Sequence, residues 1–406
     1  MDQRSIRSSR ENRPKAIVLS YADEQILLNC GVDSASLPYL LPKLIHKNLL
    51  VRGVKVYAAN ILKQTMLSIG GDVAVHRHVI TGKIDSSDCV IMGDLRHFSL
   101  LLDKLKRQPG MKEIIDAIGE QIFPEKKPLS LDLCNKPYRW ETTPVIMGIL
   151  NITPDSFSDG GKWIEPDVAV SHALDMIDQG AQIIDIGGES SRPGARPVDT
   201  RAELSRVVPA IRAIASHTSI PISIDTKKAD VALEAIKAGA CIINDISALS
   251  HDPAMIHIAR DTRAGIVLMH MRGTPESMQK DTFYENIVYE IYDYLSERID
   301  FCLDNGIDRS SIIIDPGIGF GKDLDGNLSI LNHLSELRSL KIPLMLGHSR
   351  KAFLGDILGE PVTKRQGGTD TVSAWGAIQG VDIIRVHDIG HAMKTRKVIN
   401  AILGTQ

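Results

Sequence analysis

The sequence predicts an α/β protein in which a (β/α)8 TIM barrel follows a smaller N-terminal α/β domain. Two observations predict the barrel. From Pro144 onward, short apolar runs alternate with stretches of helical periodicity, eight of each, to the end of the 406-residue chain. The runs also tend to turn abruptly polar or glycine-rich at their C-terminal ends, as buried parallel strands do when they deliver side chains to a barrel mouth. A third observation sets the boundary: this rhythm is absent before Lys126. A doubly wound open sheet is the competing arrangement for the same alternation.

Residues 1–126 read as the smaller domain. Met1 to Arg10 is polar and lacks the apolar core of a secretory signal. Lys15–Tyr21 reads as a strand, and helical patterns cover Leu37–Asn48 and Ala58–Ile69. The second pattern ends at Gly70-Gly71, suited to a left-handed helix end. Asp88–Met92 reads as a strand. Phe98–Lys106 is a helix broken by Gln108-Pro109-Gly110, and Lys112–Ile122 is a further helix. His76-Arg77-His78 could hold an anion, although alternating histidines in a strand more often face solvent. Pro124–Pro128 is the expected linker. Leu129–Trp140 then alternates weakly, as a strand or hairpin across the bottom of the barrel would.

The barrel domain is expected over residues 129–406. Its strand runs are Val145–Leu150, Gln182–Ile186, Pro221–Ile224, Cys241–Asn244, Gly265–His270, Ser311–Asp315, Pro343–Gly347 and Asp382–His387. Helical patterns lie near 166–179, 201–216, 227–238, 253–262, 283–305, 326–338, 369–379 and 389–403. Thr200 with Glu203 has capping-box spacing, and Asp252-Pro253 fits N-cap followed by N1. Gly239 and Gly306 stop two helices.

Composition excludes several function classes. Charged residues make up 24% and the formal net charge is -3, so no global field favours nucleic acid or an anionic membrane surface. No apolar run approaches the roughly 20 residues of a membrane helix. The five cysteines are scattered and without metal-like spacing, which fits reduced thiols in a cytoplasmic protein.

In a barrel of this kind the chemistry sits at the C-terminal ends of the strands. Those positions hold Asn151, Glu189 to Arg192, Asp225, Asn244, His270, Asp315, Ser349 to Lys351, Arg385 and His387. So many converging charges need partners or a ligand, because an unpaired buried ion costs several kcal/mol. Loops 151–163 and 187–198 have the glycines and prolines of mobile covers.

Eight motifs at successive strand ends carry a resemblance: Met147-Gly-Ile-Leu-Asn-Ile-Thr-Pro-Asp-Ser-Phe-Ser-Asp-Gly-Gly161, Gly187-Gly-Glu-Ser-Ser-Arg-Pro-Gly-Ala195, Ser223-Ile-Asp-Thr226, Ile243-Asn-Asp-Ile246, Leu268-Met-His-Met271, Ile314-Asp-Pro-Gly-Ile-Gly-Phe-Gly-Lys322, Gly347-His-Ser-Arg-Lys351 and Arg385-Val-His-Asp388. Over residues 129–406 the chain resembles the dihydropteroate synthases, folate-pathway transferases that join a pterin pyrophosphate to p-aminobenzoate. Residues 1–126 resemble neither the pyrophosphokinase nor the aldolase domains sometimes fused to that family. Two departures stand out: Ser191 where threonine is usual, and Ile318 where an aromatic residue is common.

The resemblance implies a site whose chemistry these residue types suit. Asp315 resembles the family's acceptor for the paired N–H groups of the pterin, with Asn244 and Asp225 completing a polar edge. Lys351 can donate to the ring carbonyl and N5, Arg385 can stack on the ring, and Met269 and Phe320 can pack against it. Asp225, Asp315, Lys351 and Arg385 are the implied catalytic residues. Asn151, Arg385 and His387, with free backbone N–H groups at the start of the last helix, would take the pyrophosphate. No carboxylate cage for a metal is apparent. Mg2+ would therefore bind through Asn151, with Asp155 as a second candidate, and mainly through substrate oxygens. Phe157, Ser190, Ser191, Arg192 and Pro193 would form the p-aminobenzoate pocket. His270 remains divided between a core histidine and a site residue.

Two rivals stand beside this expectation: a pterin-binding methyltransferase domain using methyltetrahydrofolate, and a non-catalytic pterin sensor. Barrels of the family commonly pair through their late helices. The small-residue helix Thr369–Gly380 is compatible with such a homodimer.

Overall fold

The computed structural model describes residues 16–19, 22–123, 130–140, 142–153, 166–190, 194–195 and 197–404. The chain divides into two compact units, Met1–Lys126 and Lys127–Gln406.

The first unit is a three-stranded antiparallel sheet in the order β1-β3-β2, with β1 His46–Lys55, β2 Asp72–Val75 and β3 Ser86–Asp94. Every second residue of β3 from Ser87 to Gly93 is buried, as expected of a strand with one face against a core. That core is filled by Leu62 and Met66 of helix Val56–Leu67, Phe98 and Leu101 of helix Leu95–Leu105, and Ile118 of helix Lys112–Ile122. Asp94 caps its helix reciprocally with His97. Three expectations fail here. Residues 16–19 carry no regular structure, and Ile17 and Val18 are exposed. The helix expected over Leu37–Asn48 ends at Leu44, because His46 onward pairs with β3 instead. The histidine triplet follows β2 in a turn, in which the His78 N–H donates to His76 Nδ1 at 3.2 Å.

The second unit is the expected barrel. Its eight parallel strands are β6 Val145–Asn151, β7 Ile183–Gly187, β8 Ile222–Asp225, β9 Ile242–Asp245, β10 Gly265–Met269, β11 Ile312–Asp315, β12 Met345–Leu346 and β13 Ile383–Val386. They neighbour one another in the order β11-β10-β9-β8-β7-β6-β13-β12. A parallel bridge between Ile314 and Leu344 joins β11 to the residue just before β12 and closes the ring.

Alternate strand residues serve two cores. Ile146, Ile184, Ile224, Ile243, Ile266 and Ile384 pack in the large cluster that includes the surrounding helices. Val145, Met147, Ile183, Val267, Ile313 and Ile383 pack instead with Leu131 and Leu133. Those two leucines come from the hairpin β4 Ser130–Leu133 and β5 Lys136–Arg139, which therefore plugs the N-terminal end of the barrel. Ser310 Oγ donates to Asp132 Oδ2 and Ser311 Oγ to the Asp132 carbonyl, both at 2.8 Å, holding the plug in place.

Two helix starts differ from expectation. Asp199, not Thr200, is the N-cap of helix Thr200–Ala215, accepting from the Arg201 N–H. Glu203 is buried and ion-paired with Lys228 instead of closing a capping box. Asp252 forms a turn with Ala254 N and also accepts from Ala229 N, at the start of the neighbouring helix Ala229–Ala238.

Candidate active site

The strand ends gather their charges into one network. Asp185, inside β7 and fully buried, accepts through Oδ2 from Arg385 Nε at 2.6 Å and from Asn244 Nδ2 at 3.0 Å. Arg385 in turn donates from Nη2 to Asp225 Oδ2 at 2.8 Å. Strands β7, β8, β9 and β13 are thus joined by side chains at the barrel mouth. Gly187, the last residue of β7, lies near this Asp225 oxygen and one from Asn151. A Cβ there would stand 3.4 Å from Asn151 Oδ1 and 3.9 Å from Asp225 Oδ2.

Asp315, at the end of β11, uses one oxygen to accept the Gly317 N–H at 2.7 Å. Gly317 adopts φ +68°, and a Cβ on it would lie 2.0 Å from the His270 carbonyl oxygen. Only glycine lets this turn close against the end of β10. Lys351 sits opposite, its Nζ donating to the Ile318 carbonyl and lying 4.2 Å from the Phe320 ring centroid. Phe320 and Met269 form a small apolar cluster with Ile246 and Met278. Sequence reasoning had missed the last two.

Burial dominates the electrostatics. It pushes the Asp225 carboxyl up to about 7, against Arg385, which favours ionisation, and with Asp185, which opposes it. Burial also raises Asp315, opposed chiefly by Lys351. Lys351 is pushed down to about 7 by burial, with Asp315 resisting and Arg385 adding to the fall. Burial works against the Arg385 cation, yet Asp185 and Asp225 hold it above its usual range. One site therefore contains an acid and a base that both titrate near neutrality.

His270 is a core histidine. Burial and the neighbouring Lys322 push its pKa down to about 2, and its ring stacks edge-on against Tyr294 at 5.0 Å. Lys322 Nζ contacts His270 Nδ1 at 3.0 Å and the carbonyls of His270 and Phe320 at 3.2 and 2.8 Å, bracing the glycine turn from below.

On the other side of the mouth, His387 Nδ1 lies 2.9 Å from Ser349 Oγ. The start of helix Ile389–Leu403 is not open as expected. The Gly390 N–H donates to Gln179 Oε1 and the His391 N–H to Asp388 Oδ1. Asp388 also places a carboxylate where an anion would have to dock. Ser190 lies beside a small cavity that Asp225, Thr226, Ile246 and Pro275 also line. Below it, Glu189 pairs with Lys227 at 3.1 Å and with Lys228, which also reaches the Val198 carbonyl at 2.7 Å and Glu203. Both ends of the 187–198 loop are thereby fastened to the segment following β8. Phe157, Ser191, Arg192, Pro193 and Asp155 lie outside the described residues.

Asp185 was not recognised in the sequence. It interrupts an otherwise apolar run, and that interruption was the available signal: a carboxylate facing a barrel interior requires partners.

This arrangement falls within a match to the pterin binding enzyme family over residues 147–387, which takes in all the strand ends named above. Over 281 residues the chain is 42% identical to a dihydropteroate synthase of Synechocystis sp., covering 69% of this chain and 96% of that protein. The chain belongs to the dihydropteroate synthase family. A solved dihydropteroate synthase of Xanthomonas albilineans with 4-aminobenzoic acid is 38% identical, with a TM-score of 0.64, over 69% of this chain and all of that one. A probable bifunctional folylpolyglutamate synthase/dihydropteroate synthase of Haloferax volcanii is 36% identical over 342 residues, 82% of this chain and 40% of its own length. That span exceeds Lys127–Gln406, so it runs into the first unit. Against the Synechocystis dihydropteroate synthase, by contrast, the aligned part is about the size of the barrel unit alone.

Proposed function

We infer that this chain is a dihydropteroate synthase, condensing 6-hydroxymethyl-7,8-dihydropterin pyrophosphate with p-aminobenzoate to give 7,8-dihydropteroate and pyrophosphate in folate biosynthesis. The observation that carries this reading is a polar edge of Asp225, Asn244 and Asp315, set beside Lys351 and Arg385 in one buried mouth.

The residues divide the work as follows. Asp315 accepts the paired N–H groups of the pterin, and Asn244, with one N–H held by Asp185, offers its carbonyl oxygen and remaining N–H. Met269 and Phe320 pack on the ring, Lys351 donates to its carbonyl and N5, and the flat Arg385 guanidinium covers a face. The C–O bond to pyrophosphate breaks, its electron pair leaving with the diphosphate beside Asn151, Arg385 and His387. The methylene cation that remains is stabilised by the Asp225 and Asp315 carboxylates. The arylamine nitrogen, whose lone pair is free at neutral pH, forms the new C–N bond, and its surplus proton passes to water. Phe157, Ser190, Ser191, Arg192 and Pro193 hold the p-aminobenzoate.

Mg2+ fits the donor set in a limited way. The described residues contain no cluster of three or more His, Cys, Asp or Glu that could hold a metal. Asn151 Oδ1 shares the space above Gly187 with Asp225 Oδ2, and a diphosphate and waters would complete the shell. When bound, the ion supplies charge neutralisation on the leaving group.

Purified protein supplied with the pterin pyrophosphate, p-aminobenzoate and Mg2+ is expected to release pyrophosphate and form dihydropteroate. Methyl transfer from methyltetrahydrofolate without pyrophosphate release overturns this reading in favour of the methyltransferase rival. Pterin binding with no turnover would leave a sensor.

The reading extends to a cytoplasmic homodimer. Support comes from free cysteines among the described residues and from exposed Trp375, Ile378, Val398 and Ile402 on helices Gln366–Ile378 and Ile389–Leu403. A monomer at micromolar concentration by light scattering refutes the dimer. We assign residues 1–126 a role outside the chemistry, because among the described residues the barrel's cores are built from side chains from Leu131 onward. A chain beginning at Leu129 is expected to fold and keep most of the turnover. A fall in kcat beyond about tenfold in the folded truncated chain, some 1.4 kcal/mol of barrier, would place the first unit in the active site.

A further inference from the structure

We propose that Asp185 is a positioning residue for pterin recognition, a single buried carboxylate oxygen that sets the guanidinium of Arg385 and the amide of Asn244 together. The proposal rests on the pterin reading of the mouth and adds to it a residue that touches no substrate. Its geometry is specific. Oδ2 accepts from Arg385 Nε at 2.6 Å and from Asn244 Nδ2 at 3.0 Å. An ionised carboxylate only accepts, so Asn244 must turn its nitrogen toward Asp185 and its carbonyl oxygen away from it. Were the amide free to flip, it would offer an N–H at the place where a pterin also presents N–H groups. Arg385 is fixed at a second point by Asp225 at 2.8 Å, so the plane of the guanidinium is determined before any ligand arrives.

The second observation is what Asp185 leaves unsatisfied. Its Oδ1 is buried without a hydrogen-bond partner, in a strand whose neighbours Ile183, Ile184 and Ile186 are wholly apolar and buried. Fold stability alone does not call for such a group, since apolar replacement of buried ions is often neutral or stabilising. Its use lies in the two side chains it orients.

The test compares Asp185→Asn, Asp185→Ala and the wild type for pterin affinity by calorimetry, KM for p-aminobenzoate, and melting temperature. Asp185→Asn keeps an oxygen of the same shape and removes the charge. Asp185→Ala removes both bonds. Pterin affinity is expected to fall about tenfold or more in Asp185→Ala and less in Asp185→Asn, as lost charge-assisted hydrogen bonds predict. The KM for p-aminobenzoate should stay within about threefold, because that substrate meets neither Arg385 nor Asn244 in this scheme. A purely structural role would lower the melting temperature and worsen both substrates in proportion, and would overturn the proposal. Pterin affinity equal to wild type in folded variants would overturn it as well. If Asp185→Ala does not fold, Asp185→Asn decides alone. A wild type that binds no pterin refutes the site reading itself, which a difference between variants cannot do.

Discussion

Asp315→Ala is expected to weaken pterin binding about 30-fold or more, with a far smaller effect on the p-aminobenzoate half of the site. The carboxylate is the acceptor proposed for two adjacent N–H groups. Charge-assisted pairs of that kind are worth on the order of 2–4 kcal/mol once an unpaired buried donor is included, and each 1.4 kcal/mol is about tenfold. The substitution has one side effect: it removes the acceptor for the Gly317 N–H. Asp315→Asn separates the two, because an amide oxygen can keep the Gly317 bond while losing the charge and the paired acceptance. Calorimetry on both variants checks the expectation. Pterin affinity equal to wild type in Asp315→Ala would remove Asp315 from the site.

Arg385→Met should do more, because this guanidinium is joined to two carboxylates and, in the proposed reaction, meets both the pterin ring and the departing diphosphate. A fall in kcat/KM for the pterin pyrophosphate of about 100-fold or more is expected, the usual scale for deleting one preorganised electrostatic donor. The pH dependence gives a sharper prediction. The Arg385 cation favours the ionised form of Asp225, which burial has already pushed up to about 7, so removing it moves that titration to higher pH. The same cation disfavours the protonated form of Lys351, which burial has pushed down to about 7, so its removal moves that titration up as well. If binding needs Asp225 ionised and Lys351 protonated, kcat/KM follows a bell whose two limbs both shift toward alkaline pH. Arg385→Lys should leave the bell near its place and still lose rate, since one ammonium cannot hold two carboxylates in a fixed plane. A bell that stays put or moves down in Arg385→Met contradicts the assignment.

The barrel was legible because a strand buried on both faces reads as a continuous apolar run, and its chemistry begins where the run ends. Asp225, Asn244, Asp315, Lys351 and Arg385 all occupy such ends, and the structure brings them into one mouth. Asp185 was hidden because it lies inside a run, where a single polar letter looks like noise. Glu203 was misread because three-residue spacing from Thr200 matched a local cap, while its actual partner, Lys228, is distant in sequence. In the first unit, the helical pattern over Leu37–Asn48 overruns the first three residues of β1, His46 to Asn48. The eight-position pairing of β1 with β3 is a tertiary choice that local periodicity does not encode. The start of the last helix looked open because neither Gln179 nor the capping side chain of Asp388 had been given a position.

The hairpin that carries Leu131 and Leu133 has a consequence for traffic. With the N-terminal end of the barrel packed solid, the described residues leave the site approachable from the strand ends. Whatever binds at the strand ends must enter before anything that settles above it. In the proposed reaction the diphosphate therefore leaves through the same face by which the amine arrives. Excess pyrophosphate is therefore expected to obstruct both the departure of its own kind and the arrival of the second substrate.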